Sequence, residues 1–224
     1  MLFAVFVEGK NDLYFFAEII KAFKNYQKGE IVMDWKLGLL LNYFKTLKTT
    51  VLTKNGDTLV IIQCKGKTSA IRAFKHSLKE FLNNDAVRKS FLIIDADQSL
   101  DVKTQILDEI LEQKTPGIEN EKPIVFKRLL KTKLKKYPNT LETGIIDICP
   151  NLEIVISNFL KKFKVIPKEF TKESDPHDII KNAIIVLKME NYEEFCKYLI
   201  SKKNDELKEE LDRLTILDSL CEIV

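Results

Sequence analysis

Four short apolar runs punctuate an otherwise charged chain: "LFAVFV" from Leu2 to Val7, "LVII" from Leu59 to Ile62, "FLII" from Phe91 to Ile94 and "IIDIC" from Ile145 to Cys149. The first three are continuous rather than alternating, as expected of strands buried on both faces of a parallel sheet. Between and after them, apolar residues recur at the spacing that aligns side chains along one side of a helix. Leu13, Phe16, Ile20 and Phe23 form one stripe, Ile71, Phe74, Leu78 and Phe81 a second, and Ile106, Leu107, Ile110 and Leu111 a third. Strand and helix alternate, so the predicted class is α/β: a mainly parallel, Rossmann-like sheet flanked by helices.

The connection over 28–56 is longer than an ordinary loop and is expected to carry an inserted helix around Trp35 to Leu47. "LEQKTPGIENEKP" reads as a polar loop leading to a strand near Ile124 to Phe126. "NLEIVISNFLKKF" reads as a helix with Leu152, Val155, Ile156, Phe159 and Phe163 on its apolar side. Beyond Phe163 the chain turns to charged helices, where Asp175 can cap a helix and Pro176 can occupy its first turn. The expected organisation is an α/β domain over 1–163 and a helical C-terminal appendage over 164–224.

Composition then limits the chemistry. A chain of 224 residues with 45% hydrophobic and 31% charged residues can bury a sizeable core. Its net charge of +3 is too small to imply a nucleic-acid partner, so only the distribution of charge is informative. Cys64, Cys149, Cys196 and Cys221 are far apart and form no C-x-x-C pair, which argues against a zinc site or a disulfide framework and fits a reducing cytoplasm. "MLFAVFVEGK" lacks a basic n-region and meets Glu8 too early for a signal peptide, and no run is long enough for a membrane span. The only histidines, His76 and His177, have no catalytic partner at motif spacing. Any chemistry is expected to rest on carboxylates.

In an open parallel sheet, ligands bind beyond the carboxyl ends of the strands. There the sequence places Glu8-Gly9-Lys10-Asn11-Asp12, then Gln63-Cys64-Lys65-Gly66-Lys67, then Asp95-Ala96-Asp97. Asp95 and Asp97, two residues apart in an extended segment, share a face and repel each other unless a cation lies between them. Carboxylates from separate strand ends suit an all-oxygen site of the kind Mg²⁺ prefers. Simpler roles stand beside this one: Asp95 as a turn residue, Asp97 as a solvated charge, and Asp12 as a helix cap.

"GKT" invites a P-loop reading, but that motif requires glycine where the chain has Ile61. Lys10, Lys65, Gly66 and Lys67 are still candidates to hold a phosphate at a helix start, the alternative being a plain strand-to-helix turn. Farther along, "FKRLLKTKLKKYP" gathers Lys127, Arg128, Lys131, Lys133, Lys135 and Lys136. It is either a contact for a nucleic-acid backbone or a solvated face.

"FVEGKNDLYFF" and "FLIIDADQ", with Gly66 after the intervening strand, resemble the Toprim domain of topoisomerases, primases, OLD-family nucleases and ribosomal RNA maturation nucleases. The resemblance covers roughly Leu2 to Phe163. It implies that Asp95 and Asp97 bind Mg²⁺ or Mn²⁺, and that Glu8 binds metal or transfers a proton at the scissile phosphate. Asp12 looks like the second acid of the OLD-type E-G-x-x-D signature. Glu153, in "CPNLEIVISNFL", looks like the acid that helps hold a second metal. One departure is the single glycine of "CKGKTS", where related small Toprim proteins often have more. The implied activity is metal-dependent hydrolysis of nucleic acid, with DNA favoured over RNA by resemblance alone. The other reading is a non-catalytic protein that binds a nucleic acid or nucleotide in the same acidic pocket. A homodimer is left open by the sequence.

Overall fold

The computed structural model describes residues 1–30, 46–84, 87–96, 118–172 and 175–222. The helix expected around Trp35 to Leu47 lies almost wholly outside these residues, as do the third apolar stripe, Ile106 to Leu111, and Asp97.

Strand β1 (Leu2–Val7) leads to helix α1 (Lys10–Lys24) and the short β2 (Gln27–Lys28). Next come β3 (Lys48–Lys54), β4 (Asp57–Gln63), helix α2 (Lys67–Asn84) and β5 (Val87–Asp95). The strands β6 (Glu119–Asn120), β7 (Ile124–Phe126), β8 (Leu129–Lys136) and β9 (Asn139–Ile148) precede α3 (Leu152–Lys162). A 3₁₀ turn (Lys168–Thr171) leads to α4 (Pro176–Val186), α5 (Tyr192–Lys202), α6 (Asn204–Arg213) and α7 (Ile216–Cys221). All the described strands join one sheet in the order β2-β3-β4-β1-β5-β9-β8-β6, with β7 also paired to β8. Its centre, β4-β1-β5-β9, is parallel, and antiparallel strands extend it on both flanks.

The continuous apolar runs are explained by burial on both sides. Phe3, Val5 and Val7 of β1 face one core cluster, and Ala4 and Phe6 face the other. The same alternation divides Leu59 and Ile61 from Val60 and Ile62, and Phe91 and Ile93 from Leu92 and Ile94. Among the described helices, α2 covers the second face through Phe74, Leu78 and Phe81 of the predicted stripe.

The first face is covered by α1, α3 and the C-terminal helices together. In α1 the predicted residues Leu13, Phe16 and Ile20 are buried, but so are Phe15, Ala17 and Ile19. So wide an apolar surface needs cover on two sides, and α5 supplies the second by packing along α1. Phe195, Leu199, Leu211 and Leu220 belong to the same core cluster as β1 and α1. Residues 164–172 and 175–222 therefore contribute to the main core, where the sequence suggested an appendage. The expected cap at Asp175 is present, its side chain accepting from the His177 amide at 2.8 Å, with Pro176 at the helix start.

The end of the long connection also differs from expectation. Lys48–Lys54 is a sheet strand that turns back into β4 through Asn55 and Gly56, with φ of 50° and 85°. Positive φ at both central residues is the signature of a type I′ hairpin, for which Asn-Gly is the favoured pair.

Candidate metal centre at the strand ends

Because β4, β1, β5 and β9 run parallel, their carboxyl ends share one edge of the sheet. Glu8 follows β1, Cys64 to Gly66 follow β4, Asp95 is the last residue of β5, and Glu153 lies in the first turn of α3, just beyond β9. Hydrogen bonds tie these ends together. The Asp95 amide donates to Glu8 Oε1 at 2.9 Å, and the Leu152 amide donates to Asp95 Oδ1 at 3.1 Å. The Gly66 amide donates to the Glu8 carbonyl at 3.0 Å, and Lys67 Nζ to the Asp95 carbonyl at 2.8 Å. Gly66 has a φ of 94° with open space around its α-carbon, so the backbone conformation, rather than crowding, calls for glycine.

Asp12 Oδ2 accepts from the Gly9 amide at 2.7 Å, so Asp12 does cap α1, but by reaching back from its third position to Gly9 at the N-cap, since the helix starts at Lys10. Capping is only part of its setting. Burial pushes its pKa up to about 6, the Gly9 hydrogen bond works against that rise, and the negative charges of Glu153 and Glu8 add to it. Asp12 thus senses Glu153, which lies far along the chain, as well as its neighbour Glu8.

Tyr192, at the start of α5, has no counterpart in the motif reading. Its buried hydroxyl has no well-formed hydrogen bond. Burial pushes its pKa well above the ordinary tyrosine value, helped by Cys196 and then by the charges of Glu153 and Asp12. Nothing local in "NYEEF" marks this residue, because only the docking of α5 on α1 brings it near the acids.

Cys64 lies at the same edge, but burial pushes its thiol up to about 12, so it is not a thiolate nucleophile near neutral pH. Lys10 is exposed and lies over the Tyr14 ring at 5.6 Å, while Lys65 is exposed beside Gly66. Among the described residues, no group of three or more Asp, Glu, His or Cys side chains forms a ready-made metal ligand set. Glu8, Asp12 and Asp95 each have an oxygen engaged by a backbone amide. A carboxylate has about four lone-pair sites, so such an anchor orients the group without exhausting it as a ligand.

The basic run starts at this edge and leads away from it: the Asp147 amide donates to the Arg128 carbonyl at 3.2 Å, and in β8, antiparallel to β9, Leu129 lies opposite Ile146 and Lys136 opposite Asn139, so successive lysines lie progressively farther from the acids. Lys131 pairs with Glu222, Lys133 and Lys135 with Glu121 at 3.9 and 2.7 Å, and Lys136 donates to Asn83 at 2.6 Å. Lys127 pairs with Asp218. His76 lies beside Glu80 on the exposed side of α2, and His177 uses its backbone amide in the cap of α4, so neither joins the acid edge.

The molecule is thus a mixed α/β protein whose parallel strand ends gather carboxylates. A family model described as DUF3226, protein of unknown function, matches residues 3–222, and the chain belongs to that family. No curated protein matches the sequence. The crystal structure of a hypothetical protein from Pyrococcus horikoshii OT3 is similar, with a TM-score of 0.68 at 16% identity over 99% of this chain and 98% of that one. This likeness is one of fold. A hypothetical protein from S. aureus aligns at a TM-score of 0.19 and 11% identity, over 65% of this chain and 95% of that one. Among the described residues no helix is long and apolar enough to cross a membrane.

Proposed function

We propose that the strand-edge acids form the divalent-cation site of a Toprim-type nuclease that hydrolyses phosphodiester bonds in nucleic acid, DNA before RNA. The observation that carries this reading is the rise of Asp12 to about 6, caused by burial and by the added negative charge of Glu153 and Glu8. An edge that disfavours one more negative charge is suited to a bound cation, and an all-carboxylate donor set matches Mg²⁺ or Mn²⁺. Glu8, Asp12, Asp95 and Glu153 would hold the ion, together with Asp97 by the family resemblance. When bound, the ion would activate water and stabilise charge on the phosphate. The chain's own part is to fix the Glu8 and Asp95 carboxylates through backbone amides and to hold Lys67 across the Asp95 carbonyl. Glu8, where it is not a ligand, would take the proton at the scissile phosphate.

Cleavage of single- and double-stranded DNA and RNA with Mg²⁺ or Mn²⁺ tests the proposal, and Asp95→Asn and Glu8→Gln should each abolish it. The second reading is non-catalytic binding at the same pocket, with Glu8, Asp12 and Asp95 serving the backbone amides they accept from. Binding of nucleic acid without metal-dependent cleavage of any substrate would select it.

A further inference from the structure

A different basic surface lies at the far end of α3. Beyond Lys162 the chain turns through Lys164, which adopts a left-handed φ of 51°. The turn is closed by Val165 N to the Leu160 carbonyl at 3.1 Å and Phe170 N to the Pro167 carbonyl at 3.1 Å. The result is an open groove of about 770 Å³, with Lys161, Lys164 and Lys168 on its walls and Val165 and Pro167 between them.

These three lysines are exposed and, among the described residues, make no ion pair. Their neighbour Lys162 does, reaching Glu210 at 2.9 Å and Glu209 at 3.4 Å. The acids nearby in sequence are Glu169, on the 3₁₀ turn, then Glu173 and Asp175. Cations that share a groove without matching acids attract a polyanion. Phe170, outside the groove's lining but on the same 3₁₀ turn as Lys168, is 37% exposed and adds an aromatic surface beside it. Lysines beside an exposed ring are the combination by which proteins hold single strands, the cations following the phosphates and the ring stacking on a base. The groove is connected to the acid edge by one rigid element. Glu153 and Lys161 lie at opposite ends of α3, about 12 Å apart along its axis at the usual rise per residue.

We infer that Lys161, Lys164 and Lys168, with Phe170, form a binding surface for single-stranded nucleic acid leading away from the acid edge. The inference deepens the nucleic-acid reading of that edge and rests on it for the choice of polyanion. Its test is independent of metal: fluorescence anisotropy of labelled single-stranded and duplex oligonucleotides in EDTA, over a range of salt concentrations. Wild-type protein should prefer the single strand. The triple variant Lys161→Gln/Lys164→Gln/Lys168→Gln should flatten the slope of log affinity on log salt by about 2, at about 0.7 per lost phosphate contact on a single strand. If that variant misfolds, Lys164→Gln and Lys168→Gln singly should each flatten it by about 0.7. Phe170→Leu should weaken binding about tenfold at fixed salt without changing the slope. Failure of wild type to bind, or an unchanged slope in the lysine variants, overturns the surface. Equal binding of duplex, or no effect of Phe170→Leu, overturns the single-strand assignment. Binding that behaves as expected while no substrate is cut with metal leaves the surface standing and removes the nuclease reading.

Discussion

At the carboxyl edge of the sheet Glu8, Asp12 and Glu153 crowd like charges together, and the charges that shift Asp12 are both negative. Along β8 the lysines meet opposite charges: Lys131 finds Glu222, and Lys133 and Lys135 share Glu121. Both regions are single-sign clusters in the primary structure. In the first, burial and the charges of Glu153 and Glu8 disfavour the ionised form of Asp12, whereas the second is largely neutralised by acids from β6 onward and from α7 to Glu222. A cluster in which ionisation is disfavoured is the better candidate for a ligand site.

The largest effect expected from this contrast belongs to Asp12. Its pKa rises from 3.8 to about 6 on folding, so the native state binds more protons than the unfolded chain between those values. Its contribution is fully present below about pH 4 and is lost as pH rises through 6. At about 1.4 kcal/mol per unit, ionisation costs up to about 3 kcal/mol above that window. Asp12→Asn, which can still accept from Gly9, should therefore stabilise the apo-protein by up to about 3 kcal/mol at pH 7.5 and leave it unchanged at pH 4. Denaturant melts at the two pH values measure this, and equal effects at both would remove the disfavoured ionisation of Asp12 from the comparison. The same sign predicts that Mg²⁺ or Mn²⁺ raises the wild-type melting temperature above pH 6 more than at pH 5, since protons compete for Asp12.

Glu8 comes next. Glu8→Ala removes the acceptor of the part-buried Asp95 amide and should cost about 1–3 kcal/mol, whereas Glu8→Gln, which keeps an acceptor, should cost less. Equal losses in the two variants would show that charge, rather than the tie between β1 and β5, sets the cost. Glu153→Gln should lower the Asp12 pKa, read by NMR titration of the Asp12 carboxyl, with a stability change within about 1 kcal/mol. Under the metal reading it also raises the Mg²⁺ concentration needed for cleavage. Tyr192→Phe should be neutral or stabilising by up to about 1 kcal/mol, because it deletes a buried hydroxyl that lacks a well-formed hydrogen bond. A clear loss of stability would mean that the hydroxyl has a partner. On the β8 side, Lys135→Gln should leave the melting temperature unchanged within error, as expected of an exposed ion pair.

Much of this could be read before any fold was known. The buried strands β1, β4 and β5, the stripes of α1 and α2, and the caps at Asp12 and Asp175 were all legible. The hairpin at Asn55-Gly56 is legible as well, in the dipeptide that favours a type I′ turn. Neither the neutralisation of β8 nor the place of the C-terminal helices was legible, since Lys131 and Glu222 are 91 residues apart. Tyr192 was equally hidden, because its nearness to Glu153 and Asp12 depends on how α5 docks.

The sequence by itself determined which segments become buried strands and helices and which acids follow them. Apolar periodicity, capping residues and strand-to-helix turns are properties of neighbouring residues, and a parallel sheet carries every strand end to the same edge. Tertiary structure alone decided the surroundings of each charge. It paired the β8 lysines with distant acids, left Lys161, Lys164 and Lys168 without an ion pair among the described residues, and set half-buried Asp12 where the charges of Glu153 and Glu8 oppose its ionisation. The physical reason is that the energy of a charge depends on its solvent exposure and on the charges around it, and residues far apart in the chain set both.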